Sequence, residues 1–105
     1  MAGLGKFLKQ AQKMQEQMQR VQEELAKREV EGSAGGGAVK AVARCDGSLG
    51  SIHIDPKVVD PADVEMLEDL VLGAVTNALE LAKKTQADEM GKVTAGLNLP
   101  GLPGM

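Results

Sequence analysis

Along the first quarter of the chain, Leu4, Phe7, Ala11, Met14, Met18, Val21 and Leu25 succeed one another at alternating steps of three and four. That spacing puts all seven on positions a and d of one unbroken heptad, a narrow apolar seam that wants a partner helix. Good helix formers fill the remaining positions, and neither Pro nor Gly interrupts after Gly5. A helix is therefore predicted over about 3–28. The chain then changes character. Three strands are predicted at about 28–33, 38–45 and 49–55, divided by Gly35-Gly36-Gly37 and by Asp46-Gly47-Ser48. Val39, Ala41, Ala43 and Cys45 supply one face of the middle strand, and in the third Ile52 and Ile54 alternate with Ser51 and His53. Short Gly-containing loops make these strands an antiparallel meander.

Pro56 ends the third strand, since it donates no hydrogen bond. Asp60 is the expected N-cap of a second helix, with Pro61 at its first position and Asp63, Glu65, Glu68 and Asp69 complementing the helix dipole. This helix is expected over about 61–90, closed by Gly91 or continuing to Ala95. Its wide stripe of Val64, Leu67, Leu70, Val71, Ala74, Val75, Ala78, Leu81 and Ala82 suits packing on a sheet. The expectation is a single α+β domain over 1–96, ordered helix-strand-strand-strand-helix, with long terminal helices around a three-stranded antiparallel sheet. Residues 97–105, with two Pro and two Gly, are expected to form a flexible tail.

One helix suffices to cover one face of three strands, so the first helix keeps its seam for another subunit. Leu4, Phe7, Ala11, Met14, Met18, Val21 and Leu25 are thus the candidate homodimer interface. Gln10, Gln15, Gln17 and Gln22 flank the seam and leave partner choice weakly specified by charge.

Composition removes several functions. Phe7 is the sole aromatic residue, so no stacking platform for single-stranded nucleic acid can be built. Cys45 is the only cysteine, which excludes an intrachain disulfide and fits a reducing compartment. No apolar run reaches signal-peptide or membrane-span length, so a cytoplasmic protein without a membrane partner is expected. Cys45 and His53 are the only soft metal ligands, too few for a structural zinc site. The Gly32–Gly37 region lacks the Lys-Ser/Thr of a phosphate cradle and leads into a strand. No nucleophile motif surrounds Ser48 or Ser51 near His53 and Asp55. We expect no enzyme, no cofactor and no small-molecule substrate.

Charge adds one positive feature to a chain whose net charge is only −3. Lys6, Lys13, Arg20 and Lys27 recur every seven residues on heptad position c, a basic line spanning about 32 Å at 1.5 Å per residue. That is close to one turn of duplex DNA, about 34 Å. Lys9 lies nearby, and residues 1–20 hold four basic side chains against Glu16 alone. The line suits phosphate contact, and it equally suits a solvated coiled-coil surface. Lys83, Lys84 and Lys92 complement the C-terminal dipole of the second helix and would extend the basic surface if that end lay beside the first.

The run Lys9-Gln10-Ala11-Gln12-Lys13-Met14-Gln15, followed by Met18-Gln19 and Gln22-Glu23-Glu24-Leu25, resembles the YbaB/EbfC family of bacterial nucleoid-associated proteins. The likeness continues in order through Val30-Glu31-Gly32, Ala34-Gly35-Gly36-Gly37, Val39-Lys40, Ile54-Asp55-Pro56 and Glu65-Met66-Leu67-Glu68-Asp69-Leu70-Val71. The resemblance implies a tweezer-shaped homodimer that binds double-stranded DNA in nucleoid organisation or gene regulation. It also implies DNA contacts on the first and last helices, here Lys6, Lys9, Lys13 and Arg20 with Lys83, Lys84 and Lys92. The shared motif contains only Lys9 and Lys13; the other five follow from charge and heptad position. Ala41 and Ala43 are smaller than expected for the second strand, which predicts a thinner body or greater reliance on a partner. The alternative function is a coiled-coil module that binds a protein and never touches DNA.

Overall fold

The computed structural model describes residues 2–96. The elements are α1 (Ala2–Lys27), β1 (Glu29–Ala34), β2 (Val39–Arg44), β3 (Leu49–Ile54), a 3₁₀ turn (Pro56–Val58) and α2 (Val64–Gly96). The strands form one antiparallel sheet in the order β1-β2-β3, so the expected α+β meander between two long helices is the fold. The tail expected at 97–105 lies outside the described residues.

Glycine closes the β1–β2 hairpin, where Gly35, Gly36 and Gly37 all have positive φ. The second hairpin is held by Asp46, whose Oδ1 accepts from the Ser48 hydroxyl at 2.6 Å and its backbone N–H at 2.9 Å. Those two bonds, with Arg44 adding its charge, hold the Asp46 carboxyl below its ordinary pKa.

The second helix begins later than its sequence suggests. Pro61 and Ala62 lie in a turn in which the Asp60 carboxylate accepts from the Ala62 N–H at 2.9 Å. Asp63 is the N-cap instead, accepting from the Met66 N–H at 3.2 Å. Two aspartates three residues apart each offer a cap, and the backbone bond from Asp63 N–H to Asp60 C=O spends the first on the turn. At its other end α2 passes through Gly91 to Gly96, with Val93 and Thr94 half-buried. Packing there outweighs the modest penalty of one helical glycine.

The core is made of small side chains. Val39, Ala41 and Ala43 of β2 are fully buried beneath Ala74, Ala78 and Ala82 of α2, flanked by Leu67, Leu70, Val71, Val75 and Leu79. Val64 and Leu81, expected in the buried stripe, are exposed. Gly32, paired with Ala41, marks the closest approach of helix to sheet. A Cβ there would collide with the Ala78 backbone N and lie 2.7 Å from both Ala78 Cα and Ala74 O. Ala41 and Ala43 are thus small because the helix lies almost on the strand backbones.

α2 packs on β1 and β2. In the second ladder Val42 pairs with Ser51 and Ala43 with Leu49, leaving Gly50 as a bulge. The extra residue reverses the alternation, so Leu49 joins Ile52 and Ile54 on the same face as their cross-strand partners Ala43, Ala41 and Val39. Leu49 and Ile52 remain 44% and 45% exposed, because α2 does not reach across to them.

The molecule is long, with extents of 74 × 26 × 16 Å and a radius of gyration of 20.1 Å. A compact domain of this length has about 13 Å. The excess is the helices, which leave the sheet body as an arm.

Candidate nucleic-acid interface

α1 divides into two halves with different surroundings. From Met14 onward its seam is covered by the chain itself: Met14, Met18 and Val21 are half-buried and Leu25 is 3% exposed. The cover comes from α2 and from β2, both of which contact α1. From Gly3 to Lys13 every residue is exposed. Leu4 at 61% and Phe7 at 69% therefore keep the open seam with Ala11, and Leu8 at 58% widens it. Leu8 occupies heptad position e, an apolar side chain that a strict a/d reading passes over.

The cations sort along the same division. Lys6, Lys9 and Lys13 stand on the exposed half, which contains no Asp or Glu among its described residues. Position c lies across the helix from the seam, so a partner at Leu4 and Phe7 would leave these lysines facing outward. Arg20 is also exposed, but Glu16 and Glu23 share its surface depression. Among the described residues, none of these four cations forms an ion pair.

The lysines of α2 are placed otherwise. Glu89 Oε1 accepts from Arg28 Nη1 at 3.3 Å and from Lys92 Nζ at 3.1 Å, tying the end of α1 to the last third of α2. The Lys92 hydrogen bond and charge, then those of Arg28, hold the Glu89 carboxyl below its ordinary pKa. Lys92 is thus already paired. Lys83 and Lys84 are exposed, and the contact at Arg28 puts this stretch beside the C-terminal end of α1. Lys9 is 19 residues from Arg28, about 28 Å along the helix. Lys6, Lys9 and Lys13 thus share the exposed half of α1, whereas Lys92 is engaged with Glu89.

Asp, Glu, His and Cys side chains do not cluster as metal ligands among the described residues. No described helix is long and apolar enough to cross a membrane. A surface depression lined by Asp63, Glu65, Met66, Asp69 and Leu70 is acidic.

Helical arms around a small antiparallel sheet define a fold with a solved member. A Helicobacter pylori protein of uncharacterized function superimposes with a TM-score of 0.73, covering 90% of this chain and 96% of that one at 17% identity, which establishes the shared fold. A nucleoid-associated protein of Caldanaerobacter subterraneus subsp. tengcongensis is 54% identical over 99 residues, covering 94% of this chain and 89% of that protein. Another, from Thermoanaerobacter pseudethanolicus, is 56% identical over the same length and coverage. The family model for the YbaB/EbfC DNA-binding family matches residues 1–97, and the chain belongs to that family.

Proposed function

We propose that the chain binds double-stranded DNA as a homodimer, holding backbone phosphates with the outward cations of α1, in nucleoid organisation or gene regulation. One observation carries the reading: the half of α1 that lacks an intramolecular partner is also the half whose described residues include cations and no acids. Solvated charge kept clear of counter-charge on a projecting helix suits a polyanion. The names of the relatives, nucleoid-associated proteins, point the same way. Leu4, Phe7 and Ala11 are the part of the seam left open for a second copy; Met14, Met18, Val21 and Leu25 are largely engaged within the chain. Lys6, Lys9 and Lys13 are the principal contacts, Arg20 a weaker one, and Lys83, Lys84 and Lys92 peripheral.

The contacts are phosphate contacts with weak sequence preference, because the arm offers lysine ammonium groups more than the Arg and Asn forks that read base edges. About five phosphate contacts per dimer give a slope of log affinity against log salt near −4.5. A mobility-shift titration across salt concentrations tests this. Binding that ignores salt, or survives Lys9→Glu with Lys13→Glu, rejects the proposal. Stoichiometric capture of one protein after nuclease treatment, with no DNA retained, supports the coiled-coil alternative.

A further inference from the structure

The tip of α1 has two sides of opposite character. At about 100° per residue, Phe7, Ala11, Leu4 and Leu8 fall within an arc of about 100°, and Lys6, Lys9 and Lys13 lie across the helix from it. Leu4, Phe7 and Leu8 are large apolar side chains left exposed, and Ala11 between them is exposed as well. Leu8 makes the arc broader than a strict a/d seam. Only Gly and Gln, at Gly3, Gly5, Gln10 and Gln12, separate the apolar side from the basic one. No acid precedes Glu16, so residues 3–13, with three lysines and no acid, carry +3 in a chain of net charge −3.

We propose that the tip of α1 docks on an anionic lipid bilayer, with its apolar side sunk into the headgroup boundary and its lysines above, facing water. An apolar arc opposite a basic side, with no acid between, is the pattern of a helix that lies in the plane of a membrane. Membrane-span length, the measure behind expecting no membrane partner, does not bear on such a helix. Charge complementarity selects the occupant. A second copy covers the apolar side alone and leaves the lysines uncompensated, whereas an anionic bilayer answers both sides together. The negative potential of the bilayer decays over about 8 Å, comparable with the helix width of about 10 Å, so the lysines stand within its reach. Lipid and a second copy compete for Leu4 and Phe7, and one excludes the other.

The chain contains neither Trp nor Tyr, so a single Trp introduced at the tip reports on the tip alone. Full-length Phe7→Trp is titrated with vesicles of phosphatidylcholine, alone or mixed with phosphatidylglycerol. The expected result is a blue-shifted emission with the anionic vesicles only, quenched by lipid brominated in its acyl chains. Leu72→Trp, at a position 66% exposed on α2, should show neither change. In flotation, Leu4→Gln with Leu8→Gln should bind anionic vesicles about tenfold more weakly than the wild type, with an unchanged circular dichroism spectrum. Flotation without a spectral shift means adsorption by charge alone and overturns the proposal, as does the absence of flotation. Equal shifts at positions 7 and 72 mark a general effect on the chain and overturn it too. Emission from Phe7→Trp that is already blue-shifted in dilute solution and unmoved by vesicles assigns the tip to a second copy, which also rejects lipid docking. DNA binding is read separately, by mobility shift through Lys9 and Lys13, so its failure and that of lipid docking are distinguishable.

Discussion

The sheet body and the tip of α1 obey opposite rules. In the body, α2 lies so close to β1 and β2 that Gly32, Ala41, Ala43, Ala74, Ala78 and Ala82 are all required to be small. At the tip, Leu4, Phe7 and Leu8 are large and touch little of their own chain. The body therefore draws its stability from proximity, where a single added methyl matters. The tip contributes little to folding, and its large side chains and lysines are available for other molecules. Changes in the body should act on stability, and changes at the tip on association.

The largest expected effect tests the first half of that statement. Gly32→Val places a branched side chain against the α2 backbone, which cannot rotate aside, and should destabilise the fold by about 3 kcal/mol or more. Denaturant unfolding measures it; a loss below about 1 kcal/mol would mean that the helix can lift from the sheet at little penalty. Next, Lys9→Glu with Lys13→Glu should flatten the salt dependence of DNA binding while changing unfolding free energy by no more than about 0.5 kcal/mol. Comparable losses in stability and binding would erase the distinction between body and tip. Phe7→Glu should raise the dissociation constant of seam-mediated self-association about tenfold, corresponding to about 1.4 kcal/mol, and leave the far-ultraviolet spectrum unchanged. Sedimentation checks that figure.

The smallest effect concerns the junction between the two regions. Glu89 has a lowered pKa in the folded chain, so its pairing with Lys92 and Arg28 is complete above the ordinary carboxylate range and is lost as pH falls through the lowered value. Exposed pairs of this kind contribute little. Glu89→Gln should therefore leave the neutral-pH melting temperature nearly unchanged and remove only a weak acid-side dependence, which melting curves in low salt would resolve.

Much of this architecture was legible in the residues. The heptad of α1 and the Gly and Asp-Gly breaks announce helix, three strands and helix, because local periodicity and turn chemistry act over a few neighbours. The buried face of β2 was legible for the same reason. What stayed hidden depends on distant contacts. The seam looks uniform from Leu4 to Leu25, yet the extended α2 covers its C-terminal part. Asp60 and Asp63 are equivalent as caps until a backbone bond assigns one to a turn. The Gly50 bulge depends on which residues β2 opposes, and the Arg28–Glu89 pair joins positions 61 apart. Lys6, Lys9, Lys13 and Arg20 could be named from charge alone, and Lys9 and Lys13 also from the family motif. Only the fold shows that Lys92 is engaged by Glu89.

Leu25 is buried at the root of α1, and most of what braces the helix above it is methionine. Lys6 stands 19 residues beyond it, about 28 Å, so a tilt of about 10° about that point would swing its ammonium group through about 5 Å. This is nearly half the width of a major groove, about 12 Å. Met14 and Met18 are unbranched and can change rotamer while keeping contact. On the proposed reading, adaptable side chains near the root and charge at the far end would let one short polypeptide follow duplexes of unequal local geometry without disturbing its tightly closed centre.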